Sequence, residues 1–193
     1  MPEKSIFAIV LAAGASTRFG RTKQLEPFEG VSMAAHAMRK AEAICGANSL
    51  LVTGNRWRKV AESCQPLSGY FVINDDYESG LASSIVSGVA AVQESADAIL
   101  LMLSDLPLVT TDHLAALTRA WRESPEMIIA SAFDDTLGPP IVFPRQDFPA
   151  LLALRGDYGA RPVIDANLSR VQSIPCEEAA FDIDRPEDLA GIY

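Results

Sequence analysis

The sequence contains few of the side chains on which several common classes of protein depend. Its three cysteines, in a chain of 193 residues, lie far apart and form no Cys-x-x-Cys pair. This pattern argues against a disulfide framework and a structural zinc site, and it favours a reducing, cytoplasmic environment. The two histidines lie in predicted helices, and neither a Ser-His-Asp pattern nor a His/Cys cluster accompanies them. The sequence therefore indicates neither a protein nucleophile nor a histidine-ligated metal.

Basic residues are in the minority, with 16 Lys and Arg against 25 Asp and Glu, so the formal net charge is −9. Nucleic-acid binding requires basic patches, so this balance opposes it, but it permits a nucleotide held by a few cations and a divalent metal. No apolar run approaches the roughly 18–20 residues of a membrane helix, and the opening Met-Pro-Glu-Lys shows no signal-peptide pattern. We therefore expect a cytoplasmic protein that binds neither nucleic acid nor a membrane.

What the sequence does contain is a strand followed by a loop of small residues. The run Ile6–Leu11 is apolar and rich in β-branched residues, which is typical of a buried strand. Small residues at 12–14 let backbone N–H groups approach a ligand closely, and a hydroxyl and two cations follow at Ser16, Arg18 and Lys23. Such a loop after a strand is typical of a phosphate-binding site. It matches neither the P-loop nor the Gly-x-Gly-x-x-Gly dinucleotide fingerprint.

Strand and helix patterns alternate along the first part of the chain. Predicted strands cover residues 6–11, 49–53, 70–73 and 98–103, and predicted helices cover about 33–44, 56–64, 81–92 and 111–123. This alternation predicts an α/β fold with a mostly parallel, twisted sheet and helices on both faces. Ligands bind at the carboxyl ends of the strands in such sheets, so we expect the loops 12–23 and 104–107 to meet at one site.

The rest of the chain is less regular. Strands are predicted at 127–133 and 141–143, separated by a turn at 137–140, as an antiparallel pair at the sheet edge. Shorter strands are expected at 171–174 and 181–183, and helices at 146–154, from 156–161 and after Arg185. No linker, repeat or low-complexity segment interrupts the sequence, so we expect a single domain over residues 1–193.

Asp105 follows the predicted strand 98–103, and none of the six residues before it is charged. A carboxylate in that position is desolvated unless it meets a cation, and Mg²⁺ is commonly shared between one or two carboxylates and substrate phosphates. Asp182 and Asp184 flank Ile183, so on a strand both point to the same face and either is a candidate second ligand. The alternatives are that Asp105 caps the turn into Pro107 and that Asp184 only caps the last helix.

Asn74 and the segment Gly80–Ser84 form a further candidate element. Gly80 allows the chain to approach a flat ring closely, and Ser83 with its neighbouring backbone offers groups that can read a nucleobase edge. The alternative is an ordinary helix start whose small residues pack on the sheet.

Six segments follow one another in the chain: Leu-Ala-Ala-Gly-x-Ser-x-Arg-x-Gly-x-x-Lys at 11–23, Asn74 with Gly80-x-x-Ser83-Ser84, Asp105-x-Pro107-Leu108-Val109, Gly138-x-Pro140 with Phe143-Pro144, Gly156-Asp-x-Gly-Ala-Arg161, and Asp182-Ile-Asp-Arg-Pro-Glu-Asp-Leu189. Together they resemble the molybdenum cofactor nucleotidyltransferases, a MobA-like family of NTP transferases, and especially their cytidylyltransferase branch. The first segment alone is shared with sugar-nucleotide enzymes, and the Gly-Asp-x-Gly-Ala-Arg segment narrows the resemblance. Two positions depart from the family pattern, since Ser104 stands where glycine is common and Thr22 where proline is frequent.

The resemblance implies a three-layer, Rossmann-like nucleotidyltransferase fold of the GT-A-like type. It implies a nucleotide-binding half at residues 1–125 and an acceptor-binding half at 126–193. The implied reaction is the Mg²⁺-dependent transfer of CMP from CTP to the terminal phosphate of molybdenum-loaded molybdopterin, with release of pyrophosphate. A molybdoenzyme or its chaperone is the implied candidate for a protein partner.

Two kinds of alternative function and a set of site residues accompany this interpretation. Alternatives on the same scaffold are GTP in place of CTP and a sugar phosphate as the acceptor. A non-enzymatic alternative is a chaperone that binds nucleotide and delivers cofactor, against which the joint presence of Arg18, Lys23 and Asp105 speaks. The implied catalytic residues are Lys23, Arg18 and Asp105; the metal ligands are Asp105, Asp182 and Asp184; the acceptor-binding residues are Gly138, Pro140, Asp157 and Arg161; and the nucleotide-binding residues are Leu11, Ala12, Ala13, Gly14, Lys23, Asn74, Gly80, Ser83 and Asp105.

Overall fold

The computed structural model describes residues 4–16, 19–65 and 67–190. Among them, no helix is long and apolar enough to cross a membrane. The strands are β1 (Ile6–Ala12), β2 (Pro27–Phe28), β3 (Val31–Ser32), β4 (Ser49–Thr53), β5 (Tyr70–Ile73), β6 (Ala98–Leu103), β7 (Ile128–Phe133), β8 (Thr136–Pro144) and β9 (Val171–Pro175). The α-helices are α1 (Met33–Cys45), α2 (Trp57–Ser63), α3 (Leu81–Val92), α4 (Thr111–Glu123), α5 (Phe148–Leu152), α6 (Arg161–Asp165) and α7 (Pro186–Ala190).

The main sheet has seven strands in the order β5-β4-β1-β6-β8-β7-β9. The strands β5, β4, β1 and β6 are parallel, β8 runs antiparallel to both of its neighbours, and β9 is parallel to β7. The short strands β2 and β3 pair separately. The predicted α/β class with a mostly parallel sheet is confirmed.

Side chains on the central strand β1 alternate between two apolar layers. Ala8 and Val10 pack in the layer that holds α1, α2 and α4. Ile9 and Leu11 pack in the opposite layer, with α3, α5 and α6. Because helices cover both faces, β1 is apolar along its whole length, and its carboxyl end is the place where polar groups first reach solvent.

The helix α1 begins at Ser32 as predicted, since the Ser32 hydroxyl accepts a hydrogen bond from the Ala35 amide. This start fixes Lys40 on the side of α1 that faces the loop after β6. The Lys40 ammonium donates to the carbonyl oxygens of Pro107 at 2.6 Å and Val109 at 2.5 Å. The loop that follows Asp105 is therefore tied to α1.

Two predictions for the second part of the chain are wrong in position. The antiparallel pair forms, but β8 lies inside the sheet between β6 and β7, and β9 occupies the edge. The turn lies at Asp134 and Asp135, both with positive φ, whereas Gly138 and Pro140 belong to β8. A shift in the β7–β8 register between Ala130 and Ser131 accommodates the prolines, which cannot extend a regular ladder.

Two further elements differ from the sequence-based expectation. The predicted helix at 146–154 is a 3₁₀ turn at Arg145–Asp147 followed by the five-residue α5. The predicted strand at 181–183 does not form, and these residues have no regular secondary structure. The strands β7, β8 and β9 share one sheet with β1, β4, β5 and β6, and the division at residue 125 into nucleotide-binding and acceptor-binding halves stays a prediction.

Candidate functional site

A cleft of about 270 Å³ lies at the carboxyl ends of β1 and β6. Both loops singled out in the sequence border it, because their strands are adjacent and parallel. Arg18 lies outside the described residues. The residues assigned from the sequence that line the cleft are Leu11, Ala13, Gly14, Lys23, Gly80, Asp105 and Asp184.

The loop after β1 is folded around Gln24. The Gln24 amide donates to the Gly14 carbonyl oxygen at 3.0 Å and accepts from the Ser16 hydroxyl at 3.1 Å. The same hydroxyl accepts from the Lys23 amide at 3.2 Å. Gln24 is 2% exposed and lines the cleft, and sequence reasoning missed it. The available signal was a long amide side chain directly after the lysine of the loop.

Lys23 joins three parts of the chain at the centre of the cleft. Its Nζ lies 2.6 Å from Asp105 Oδ2 and 2.9 Å from Asp184 Oδ1. It also donates to the Ile183 carbonyl oxygen at 3.0 Å. Burial disfavours its charged form, but the Asp105 and Asp184 carboxylates outweigh burial and raise the pKa of Lys23 above its usual value. Lys23 therefore keeps its positive charge at neutral pH.

Asp105 has one paired and one unpaired carboxylate oxygen. Its Oδ2 meets Lys23, whereas Oδ1 is buried and has no hydrogen-bond partner among the residues that the structure describes. A buried, unsatisfied carboxylate oxygen is costly and calls for a partner. Within the described residues, no three His, Cys, Asp or Glu side chains form a ready metal cluster. The arrangement nevertheless fits Mg²⁺, which is commonly held by one or two carboxylates together with substrate phosphates.

The segment with Asp182 and Asp184 reaches the cleft without forming a strand. Asp184 pairs with Lys23, and its amide donates to Asp188 Oδ2 at 2.9 Å. Asp182 is exposed, and the pKa of its carboxyl is raised by partial burial and by the nearby charges of Asp184 and Asp105. Three carboxylates thus share one region around a single described lysine.

Replacing Asp182 with asparagine is expected to raise the melting temperature of the metal-free protein at pH 7. The folded-state pKa of Asp182 lies above its ordinary value of 3.8, so its favourable contribution is present at acidic pH and is lost as pH rises through the folded-state pKa. The asparagine side chain carries no charge and escapes this loss. Thermal unfolding in EDTA, from pH 7 down to below 3.8, should show that the difference in melting temperature between variant and parent narrows as pH falls through the folded-state pKa of Asp182. A variant less stable than the parent at pH 7 would contradict the shift.

Asn74 is buried beneath the start of α3. Its amide nitrogen donates to the hydroxyls of Ser83 at 2.8 Å and Ser84 at 3.0 Å, and its oxygen accepts from the Asp76 amide at 3.0 Å. Ser84 lines the cleft, whereas Asn74 and Ser83 do not. The geometry therefore gives Asn74 the position of a support for the first turn of α3.

The predicted nucleotide and acceptor segments touch each other at Gly80. The Gly156 carbonyl accepts from the Ala82 amide at 3.0 Å, and Asp157 Oδ1 accepts from the Leu81 amide at 3.3 Å. Asp157 thus satisfies a donor at the first turn of α3, which no residue of α3 itself caps. A Cβ on Gly80 would lie 2.5 Å from both Asp157 Oδ1 and the Gly156 oxygen.

We expect Gly80→Ala to raise the KM for nucleotide at least about tenfold, because the new methyl group must displace the 156–157 loop from α3. The φ of +113° at Gly80 adds backbone strain for alanine. Steady-state kinetics would measure the change, with Gly46→Ala as the control. Gly46 also has positive φ, of +56°, but a Cβ there meets nothing within 4 Å. A parental KM in Gly80→Ala would contradict the prediction, and an equal rise in Gly46→Ala would mean that the contact at Gly80 does not decide the effect.

The other predicted acceptor residues lie outside this cleft. The Pro140 carbonyl accepts from the Ser131 hydroxyl at 2.7 Å, and that hydroxyl lies 2.8 Å from His113 Nε2. Arg161 donates to the Thr136 hydroxyl and pairs with Asp165, both at 2.8 Å. Gly138, Pro140, Asp157 and Arg161 are absent from the lining of the cleft. Their binding role stays a prediction.

Comparison with known proteins places the chain in one family and finds relatives that are similar over almost its whole length. The model of the MobA-like NTP transferase domain matches residues 8–171. The purine catabolism protein PucB of Bacillus subtilis (strain 168) is 28% identical over 95% of this chain and 93% of its own. The molybdenum cofactor cytidylyltransferase of Escherichia coli (strain K12) is 26% identical over 96% of this chain and 94% of its own. The crystal structure of Rv0371c from Mycobacterium tuberculosis H37Rv superimposes with a TM-score of 0.87 at 27% identity, covering 100% of this chain and 98% of that one.

Proposed function

We propose that this chain, which belongs to the MobA-like NTP transferase family, transfers CMP from CTP to the terminal phosphate of a molybdopterin-type acceptor. The family supports a nucleotidyltransferase without fixing its substrates. The choice of CTP and of the acceptor is supported by the six segments that resemble the cytidylyltransferase branch. The similarity to the Escherichia coli enzyme named for this activity also supports it.

The observation that carries the proposal is the cluster of Lys23, Asp105 and Asp184 at the carboxyl end of the sheet. A charged lysine within 3 Å of two carboxylates, beside a buried carboxylate oxygen without a partner, suits a triphosphate and a divalent cation. Phosphoryl transfer uses such a cation and such metal-binding carboxylates to stabilise the charge of the leaving group. The cluster therefore favours catalysis over simple binding.

In the proposed reaction an oxygen of the acceptor phosphate attacks the α-phosphorus of CTP. The new bond joins that oxygen to phosphorus, the bond from the α-phosphorus to the bridging oxygen breaks, and pyrophosphate leaves with the electron pair. Lys23, with Arg18, neutralises the charge that spreads onto the leaving group. No protein nucleophile is required, in agreement with a cleft whose described lining contains Lys23 and the carboxylates of Asp105 and Asp184.

Mg²⁺ is the proposed cofactor, with Asp105 as a ligand and Asp182 or Asp184 as the second. When bound, it would polarise the phosphoryl oxygens and offset their negative charge. In this proposal the backbone of residues 11–14 receives the phosphates, and Gly80 and Ser83 lie near the nucleobase, Gly80 being the one of the two that lines the cleft. Asn74 supports Ser83 from below.

The acceptor is proposed to lie beyond Gly80, along the loop of Asp157 and Arg161 and the strand of Gly138 and Pro140. Because Asp157 contacts the start of α3, this arrangement would bring the acceptor next to the nucleotide. A molybdoenzyme or its chaperone is the proposed recipient of the product.

Pyrophosphate release tests the proposal directly. Purified protein is mixed with Mg²⁺, molybdenum-loaded molybdopterin and either CTP or GTP. Release with CTP alone is the expected result. Release with GTP alone would keep the mechanism and overturn the base, whereas release with neither, followed by activity on sugar phosphates, would overturn the acceptor. Tight CTP binding without turnover on any acceptor would favour the chaperone.

A further inference from the structure

The segment that carries Asp182 and Asp184 is anchored by the residue between them. Ile183 is 1% exposed. Its side chain packs with Phe19, Phe28 and Met33 in a small apolar cluster that is separate from the two layers of the main core. Phe19 belongs to the loop after β1 and lines the cleft. The buried side chain thus attaches the C-terminal segment to the predicted phosphate-binding loop.

The backbone of Ile183 makes two more contacts with the site. Its N–H donates to the Asp105 carbonyl oxygen at 3.0 Å, and its own carbonyl oxygen accepts from Lys23 Nζ at 3.0 Å. One residue therefore contacts the loop after β6, the lysine of the cleft and the loop after β1. Asp182 and Asp184 are its direct neighbours in the chain. The placement of Ile183 therefore fixes the backbone from which both carboxylate side chains project.

Besides Ile183, Asp184 connects this segment to Asp105 through Lys23, whose Nζ pairs with both carboxylates. Asp188 Oδ2 accepts from the amides of Asp184 at 2.9 Å and Arg185 at 2.7 Å, which shapes the start of α7 within the segment itself. No strand ladder holds residues 181–184. Asp184 reaches Lys23, but the carboxylates of this region repel one another. An apolar anchor between them opposes that repulsion.

We propose that Ile183 is a positioning residue that holds the Asp182–Asp184 pair against Asp105 and Lys23 and so assembles the metal-binding carboxylates. This inference rests on the proposed function for its metal. In this proposal, burial of the aliphatic Ile183 side chain is what brings the charged groups of the site together. The expected consequence is that metal affinity depends on Ile183, although its side chain has no atom that can bind a metal.

The test compares Ile183→Ala with Ile183→Val in the full-length protein. Binding of Mn²⁺ alone is measured by electron paramagnetic resonance, and amide hydrogen exchange is followed over residues 181–188. We expect Ile183→Ala to weaken Mn²⁺ binding at least about tenfold, as removal of supporting groups at metal sites typically does. Exchange over the segment should become faster. Ile183→Val keeps most of the buried side chain and should stay within about threefold of the parent.

Two controls separate positioning from general destabilisation. Ile6→Ala removes the same atoms from a residue that is 5% exposed at the amino end of β1, away from the cleft. Phe181→Ala changes a side chain of the same segment that is 58% exposed. Both are expected to bind Mn²⁺ as the parent does. In turnover assays, Ile183→Ala should require more Mg²⁺ for half-maximal rate while retaining most of its kcat at saturation.

The outcomes distinguish the inference from the proposed function. Unchanged Mn²⁺ affinity and unchanged exchange in Ile183→Ala would overturn the positioning role and leave the metal assignment intact. Equal weakening by Ile6→Ala would also overturn it, because the effect would then be one of stability. If the parent protein bound no Mn²⁺, the metal part of the proposed function would fail. Hydrogen exchange would then decide whether Ile183 positions the segment, faster exchange supporting the role and unchanged exchange removing it.

Discussion

Replacing Asp105 with asparagine is expected to lower kcat by about a thousandfold or more. Asparagine keeps the shape of the side chain but loses the charge that faces Lys23 and the unpaired oxygen that suits a cation. The melting temperature should change little, because the substitution also relieves repulsion among Asp105, Asp182 and Asp184. Pyrophosphate release and thermal unfolding are the two measurements.

Asp112→Asn is the matched control for this prediction. Asp112 is exposed in the first turn of α4, on the connection that follows the same strand, so it tests the same chemical change outside the cleft. It should leave kcat nearly unaltered. Full activity in Asp105→Asn would remove Asp105 from the catalytic and metal-binding groups, and a large loss in both variants would indicate a general effect on the connection.

Replacing Lys23 with methionine is expected to raise the dissociation constant for CTP about a hundredfold, since a desolvated charge-assisted contact with phosphate is lost. The metal-free variant should also melt at a lower temperature than the parent, because three carboxylates then share the region without their lysine. Mg²⁺ should recover part of this loss. Calorimetric titration of CTP and thermal unfolding with and without Mg²⁺ measure both effects.

Lys59→Met serves as the control for Lys23→Met. Lys59 is exposed on α2 and lies outside the cleft, so the variant reports what the loss of one positive charge does to an acidic protein. It should change CTP affinity by less than about twofold at physiological ionic strength. An unaltered CTP affinity in Lys23→Met would contradict the role given to this lysine.

Much of the first part of the fold could be predicted from local pattern. The strands β1, β4, β5 and β6 are short apolar runs that are bounded by small or polar residues, and α1 begins at Ser32 with the expected cap. The adjacency of β1 and β6 then places the loops after them at one edge. Lys23 and Asp105, far apart in sequence, meet there as an ion pair 2.6 Å long.

The structure of the second part of the chain depends on contacts between residues far apart in the sequence, which no local sequence pattern predicts. The sequence predicts a turn at residues 137–140, where two prolines disfavour a regular strand, yet β8 continues through them with a shift in the β7–β8 register. The strand expected at 181–183 does not form, and Ile183 is held there by burial with Phe19 and Phe28, which lie far away in the chain. Local propensity is overruled where burial against a distant element is worth more.

The sequence by itself determined the α/β architecture, the loop at 11–23 and the chemical kinds of group that a nucleotide site requires, because periodicity and residue type are local properties. Only the tertiary structure decided which of these groups contact one another. It gave Lys23 two carboxylate partners, left Asp105 Oδ1 buried without one, and turned Asp157 toward the start of α3. Such pairings depend on which strands and loops become neighbours, and that is settled by packing of the whole chain around a common core.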